Sequence, residues 1–156
     1  MLKYCLDKWN KNKDLLEKKL RGMNNWSEIE YVSLVKLVVR CILNEGESYI
    51  YDQWAENKIT VVDNGDYQGT LLFVIPQKCY QPTEYEYLLT YVGYGSCSGC
   101  DTLQRILDAG DENLTEEQIN DLMKLCKDIL TNIVKPYNGG WRYENDFEQV
   151  EFDEDE

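Results

Sequence analysis

The chain reads as an α+β domain, about four helices packed with a small three-stranded antiparallel sheet. Three observations predict this. Two stretches, near the start and near residue 125, repeat apolar residues at helical spacing. A third, Ile29 to Leu43, is apolar on nearly every side and therefore reads as a central helix packed on more than one face. Between them, two β-rich runs flank Asn64-Gly65, a strong hairpin signal.

The first helix is expected from Leu2 to Leu20, where Leu2, Cys5, Leu6, Trp9, Leu16 and Leu20 form one stripe and lysines fill the other face. Gly22 stops it. Ser27 is the expected cap of the second helix, with Glu30 completing a capping box, and Asn44-Glu45-Gly46 ends it. Ile59–Asp63 and Asp66–Ile75 are expected to pair across a two-residue turn at Asn64-Gly65, with Pro76 closing the second strand. Tyr85 to Val92 supplies a third strand, giving a meander. A glycine-rich break, Gly93 to Gly99, leads into a short helix from Cys100 to Ala109. The last long helix has the clearest start, with Thr115 as cap, Gln118 as box partner and Leu114 with Ile119 as hydrophobic staple. Its stripe runs from Ile119 to Val134, and Pro136 with Gly139-Gly140 ends it.

At 156 residues the chain is most simply one domain. Residues 1–142 are read as that domain and 143–156 as an acidic C-terminal tail. Twelve Tyr and four Trp argue against a disordered acidic chain. Apolar runs are too short for a membrane span, and the first residues lack a secretion signal, so a cytoplasmic protein with reduced thiols is expected.

Charge is lopsided. There are 29 Asp and Glu against 16 Lys and Arg, a net of −13, and no histidine. Residues 1–22 carry seven basic and three acidic side chains, whereas 23–156 carry nine basic and 26 acidic. Such a surface repels nucleic acid and anionic membrane and steers toward basic protein surfaces. The histidine-free composition, with no nucleophile elbow, Walker or dinucleotide motif, points away from an enzyme, and no cofactor is expected. Chance carboxylate pairs are plentiful and none is distinguished by context. Asp108 to Glu117 has the wrong ligand order and glycine position for a calcium loop.

Two features remain as candidate contacts with a basic partner. Tyr85, Tyr87 and Tyr91 share one parity, hence one face of the third strand, with Glu86 beside them. That face is either covered by a helix or offered as an interface. Glu148, Glu151, Asp153, Glu154 and Asp155 lie in the tail, interleaved with Phe147, Val150 and Phe152. The tail either solubilises the chain, pairs with the basic first helix, or mimics a phosphate backbone in a basic channel.

Cys97 and Cys100 stand in a strand–turn–helix context, as in a thioredoxin, where a helix dipole favours a thiolate. The further strands of that fold are missing, and Asp101 disfavours a second negative charge. A structural zinc site would need Cys79 and one more cysteine alongside. Cys5, Cys41 and Cys126 read instead as core thiols. A turn of small residues, with Ser98 capping the helix and Asp101 as its acidic partner, explains the pair better than redox or metal chemistry.

The segment Tyr91-Val-Gly-Tyr-Gly-Ser-Cys-Ser-Gly-Cys-Asp-Thr-Leu-Gln104 resembles small, acidic, uncharacterised proteins carried by bacteriophages and prophages. In size and charge the chain also looks like phage inhibitors of host defence, anti-CRISPR proteins among them. The resemblance implies a non-enzymatic inhibitor of a host nucleic-acid-handling or defence protein, acting through acidic and tyrosine-rich surface. It brings no catalytic residues with it. A redox or zinc-binding module built on Cys97 and Cys100, or a phage structural or assembly component, are the other readings.

Overall fold

The computed structural model describes residues 1–135 except 25, 67, 84–85, 98 and 109–112. Helix α1 (Leu2–Arg21) is followed by a 3-10 turn at Trp26–Glu28 and by α2 (Tyr31–Val38), which runs on as a π-helical turn, Val39–Leu43. Strands β1 (Thr60–Asp63), β2 (Gly69–Pro76) and β3 (Tyr87–Tyr94) come next, then helices α3 (Thr102–Leu107) and α4 (Glu116–Thr131). The strands pair in the order β1-β2-β3, all antiparallel, so the architecture is the expected α+β meander, with four α-helices among the described residues.

The apolar α2 segment is central. Leu34, Val35, Val38, Val39, Cys41, Ile42 and Leu43 are all essentially inaccessible. α4 packs against α1, α2, α3 and β3, so one sheet face is buried under helices. Phe73, Ile75, Leu88, Thr90 and Val92 point into that core. Buried polar side chains serve it. Asn12 of α1 donates to the Ile42 carbonyl at 2.8 Å, inside the π turn, and Thr90 donates to the Ile129 carbonyl at 2.7 Å. Each satisfies a buried acceptor that would otherwise cost free energy.

Several boundaries differ from the sequence expectation, among them β3, which runs to Tyr94 rather than Val92. Ser27 falls in the 3-10 turn, pinned by buried Trp26 and Ile29, so the cap of α2 moves to Glu30, whose N–H donates to Ser33 Oγ at 3.2 Å. The hairpin turn is longer than two residues. Asp63 lies opposite Leu71, and Asn64 caps the loop by accepting from Thr70 N–H at 3.0 Å. A two-residue turn would have set Asp63 against Asp66 and Val61 against Gln68. The observed register sets Val61 against Phe73 and Val62 against Leu72, so apolar cross-strand pairing overrides the local turn signal.

Helix α3 starts at Thr102 rather than Cys100. Cys100 N–H and Asp101 N–H both turn back to the Cys97 carbonyl, and Asp101, not Ser98, is the cap. Ser98 itself is outside the described residues. The start of α4 is as expected, with the Thr115–Gln118 capping box at 2.8 and 3.1 Å. It ends at Thr131, before the expected Val134. Val134 instead exchanges two backbone hydrogen bonds with Leu89 of β3, at 2.9 and 2.8 Å.

Candidate interaction surfaces

Three places carry the chemistry singled out in the sequence, and a fourth emerges only in the fold. On β3, residues 88, 90 and 92 are buried, so Tyr87, Leu89 and Tyr91 take the opposite face. Among the described residues that face is not a fully buried core, with Tyr87 and Leu89 half-buried. Tyr91 is 49% exposed and lies in a cross-strand row with Leu72 and with Val62, itself 46% exposed. Tyr87 and Tyr91 are thus brought together as expected, and Tyr85 is outside the described residues. Glu86 does not join them. Its carboxylate accepts from Thr83 N–H and Oγ at 3.2 and 2.9 Å and from Cys79 Sγ at 3.5 Å, closing the loop before β3. The bonds from Thr83 hold its carboxyl below the usual range.

The tail residues Glu148, Glu151, Asp153, Glu154 and Asp155 lie outside the described residues. Part of the basic first helix is already paired within the body. Arg21 makes a bidentate bond to Glu116 at 2.6 and 2.8 Å, and Lys8 pairs with Glu47.

Cys97 and Cys100 are both exposed free thiols with sulfurs 2.6 Å apart. The bond from Cys97 favours the Cys100 thiolate and lowers its pKa. The turn is tight because a Cβ at Gly95 would meet the Cys100 carbonyl oxygen at 2.7 Å. Cys5, Cys41 and Cys126 are buried, as the helical stripes imply, and burial pushes Cys5 and Cys126 up to about 12. Among the described residues no group of three or more Cys, Asp or Glu is placed to hold a metal ion. Nor is any described helix long and apolar enough to cross a membrane.

The fourth place is a cleft of about 730 Å³ beneath β1, between the inner sheet face and the start of α2 with α3. Val61, Leu71 and Phe73 of the sheet and Ile29, Leu103 and Leu107 of the helical side give it apolar walls. Among the described residues four carboxylates line it, Glu30, Asp63, Asp101 and Asp108, and no Lys or Arg does. Asp101 is buried and structural. It accepts from Tyr31 Oη at 3.0 Å, Gln104 N–H at 2.9 Å and Gly95 N–H at 2.9 Å. Asp63 is different. Its Oδ1 accepts from Tyr94 Oη at 2.6 Å and Gly65 N–H at 3.0 Å, while Oδ2 has no partner among the described residues. That bond from Tyr94 raises the tyrosine's own pKa to about 12.

Sequence reasoning missed this cleft because its carboxylates come from three separated segments, the cap of α2, the end of β1 and the two ends of α3. The one available signal was Asp63, a charge ending a β-branched run. The chain matches no family model, and no curated protein or solved structure is significantly similar to it.

Proposed function

We propose that this chain is a non-enzymatic binding protein that occupies a basic surface of a partner, such as a nucleic-acid-handling or host-defence protein, and so inhibits it. The observation that supports this best is the cleft beneath β1, where Glu30, Asp63 and Asp108 stand over apolar walls with no Lys or Arg among the described lining residues. A lysine or arginine fits such a site, its stem against the walls and its head at the carboxylates. The net charge of −13 would speed encounter with a basic partner and disfavour nucleic acid itself. The open Tyr87–Tyr91 face extends the contact area, because tyrosine adds apolar surface and a hydroxyl together. A cytoplasmic setting belongs to the same proposal.

The test is capture from bacterial lysate on the immobilised full chain, against a variant combining Glu30→Gln, Asp63→Asn and Asp108→Asn. A basic nucleic-acid enzyme retained by the native chain, inhibited by it, and lost with the variant is the expected result. Retention by the variant, with removal only on deleting residues 136–156, would shift the contact to the acidic tail. Capture indifferent to both changes and to salt would defeat the charge-based reading.

A second reading rests on the Cys97–Cys100 geometry. The Cys100 thiolate would attack a substrate disulfide, and Cys97 would resolve the mixed disulfide, leaving the substrate as a dithiol and the pair oxidised. Stoichiometric reduction of a small disulfide by the reduced protein, one per Cys97–Cys100 pair oxidised and abolished by Cys100→Ser, is its requirement.

A further inference from the structure

We propose that the partner segment binds as an extended strand added to the open edge of β1, with Lys or Arg side chains on its cleft-facing side. This rests on the reading of the cleft as the binding site, and adds the conformation and residue pattern of what enters it.

Among the described residues β1 is an edge strand, and all four of its residues are exposed. Antiparallel pairing alternates the direction of backbone groups. Asn64 N–H bonds to the Thr70 carbonyl, so Thr60 and Val62, in step with Asn64, turn their backbone groups to β2. Those of Val61 and Asp63 therefore face the open edge. A row of unpaired donors and acceptors is a template for another strand.

Side chains alternate the other way. Val61 and Asp63 line the cleft, whereas Thr60 and Val62 stand on the outer face beside Val74 and Leu72. A strand added to this edge would put every second side chain into the cleft, beside Val61 and within reach of Asp63, Glu30 and Asp108. The intervening side chains would extend the row formed by Val62, Leu72 and Tyr91. Asp63 also selects the partner. An inward-facing edge charge deters pairing between like chains, and a second copy would bring another net charge of −13. A cationic strand has the opposite response to both.

The probe is a short synthetic peptide alternating arginine with threonine or valine, titrated into the full chain. Binding should slow amide exchange at Val61 and Asp63 by at least about tenfold. N-methylation at the peptide positions that face β1 should weaken binding by more than about tenfold, and methylation at the intervening positions should not. Val61→Pro, which removes one edge N–H without touching the β2 ladder, should weaken it similarly. Equal binding of both methylated peptides, without protection of the two amides, would overturn strand addition while leaving the cleft reading intact. Absence of peptide binding, together with unchanged lysate capture by the carboxylate variant, would overturn both. A β1-paired dimer of the chain, abolished by Val61→Pro, would assign the edge to a second copy and overturn the proposal.

Discussion

The Tyr31 hydroxyl donates to Asp101 Oδ1 at 3.0 Å across 70 residues of sequence, tying the first turn of α2 to the cap of α3. The same hydroxyl accepts from Leu103 N–H at 3.1 Å, so one phenol serves as donor to a carboxylate and acceptor for a helix. Through Gly95 N–H the carboxylate also holds the turn that leaves β3. One buried acid therefore ties together the start of α2, the turn after β3 and the start of α3 on one side of the cleft.

Replacing that acid should be costly. Asp101→Ala strips partners from Tyr31 Oη, Gln104 N–H and Gly95 N–H together, and a loss of about 2–4 kcal/mol is expected from urea unfolding. Tyr31→Phe should cost less, about 1–2 kcal/mol, since only Leu103 N–H and one carboxylate lone pair lose a partner. In a double-mutant cycle the double variant should lose less stability than the sum of the two single losses, because both changes remove one shared bond.

Alkaline pH should weaken the fold. Burial raises Tyr31 to about 12 from an ordinary value of 10, so the fold favours its neutral form. That contribution is fully present below pH 10 and is lost as pH rises through 12. The Asp63 bond places Tyr94 in the same window. Buried Cys5 and Cys126 start to contribute losses above pH 9. Thermal melts should fall steadily from pH 9 to 11.5, and Tyr31→Phe should flatten the fall above pH 10.

Thiol reactivity should divide the cysteines sharply. At pH 7, alkylation of the native protein should mark Cys97 and Cys100, which are exposed, the latter with a lowered pKa. Cys5, Cys41 and Cys126 should stay unmodified until denaturant is added, because burial shields them and raises their pKa values. Peptide mapping by mass spectrometry gives the answer. Native-state labelling of Cys126 would contradict its placement in the core.

Gly65 should tolerate no side chain. A Cβ there would meet the Gln68 carbonyl oxygen at 2.2 Å, a backbone clash that cannot be relieved by a rotamer change. Gly65→Ala should cost about 1–3 kcal/mol. In the core, Phe73→Ala should cost about 3–5 kcal/mol by opening a cavity at the junction of sheet and helices.

Much of the fold was legible in the chain because its determinants are local. The α1 stripe, the all-round apolarity of α2 and the Thr115–Gln118 box each act within a few residues, and all three appear where expected. The parity of Tyr87 and Tyr91 likewise follows from the two-residue period of a strand. What parity could not say is which face the helices would cover, since that depends on where α4 crosses the sheet.

Local signals failed where a distant partner outweighed them. Asn64-Gly65 favours a two-residue turn, but Val61 and Val62 gain more by facing Phe73 and Leu72, and the loop lengthens to allow it. Ser27 is a good cap, yet buried Trp26 and Ile29 fix its segment as a 3-10 turn. Val134 continues a helical stripe, but pairing with Leu89 takes it out of α4. The cleft beneath β1 is the extreme case. Composition dictated a helical core, a small sheet and a strongly acidic surface, because each sums short-range preferences or charges along the chain. Which carboxylates would stand together over an apolar floor was decided only by packing, which brings Glu30, Asp63 and Asp108 from separate elements to one place.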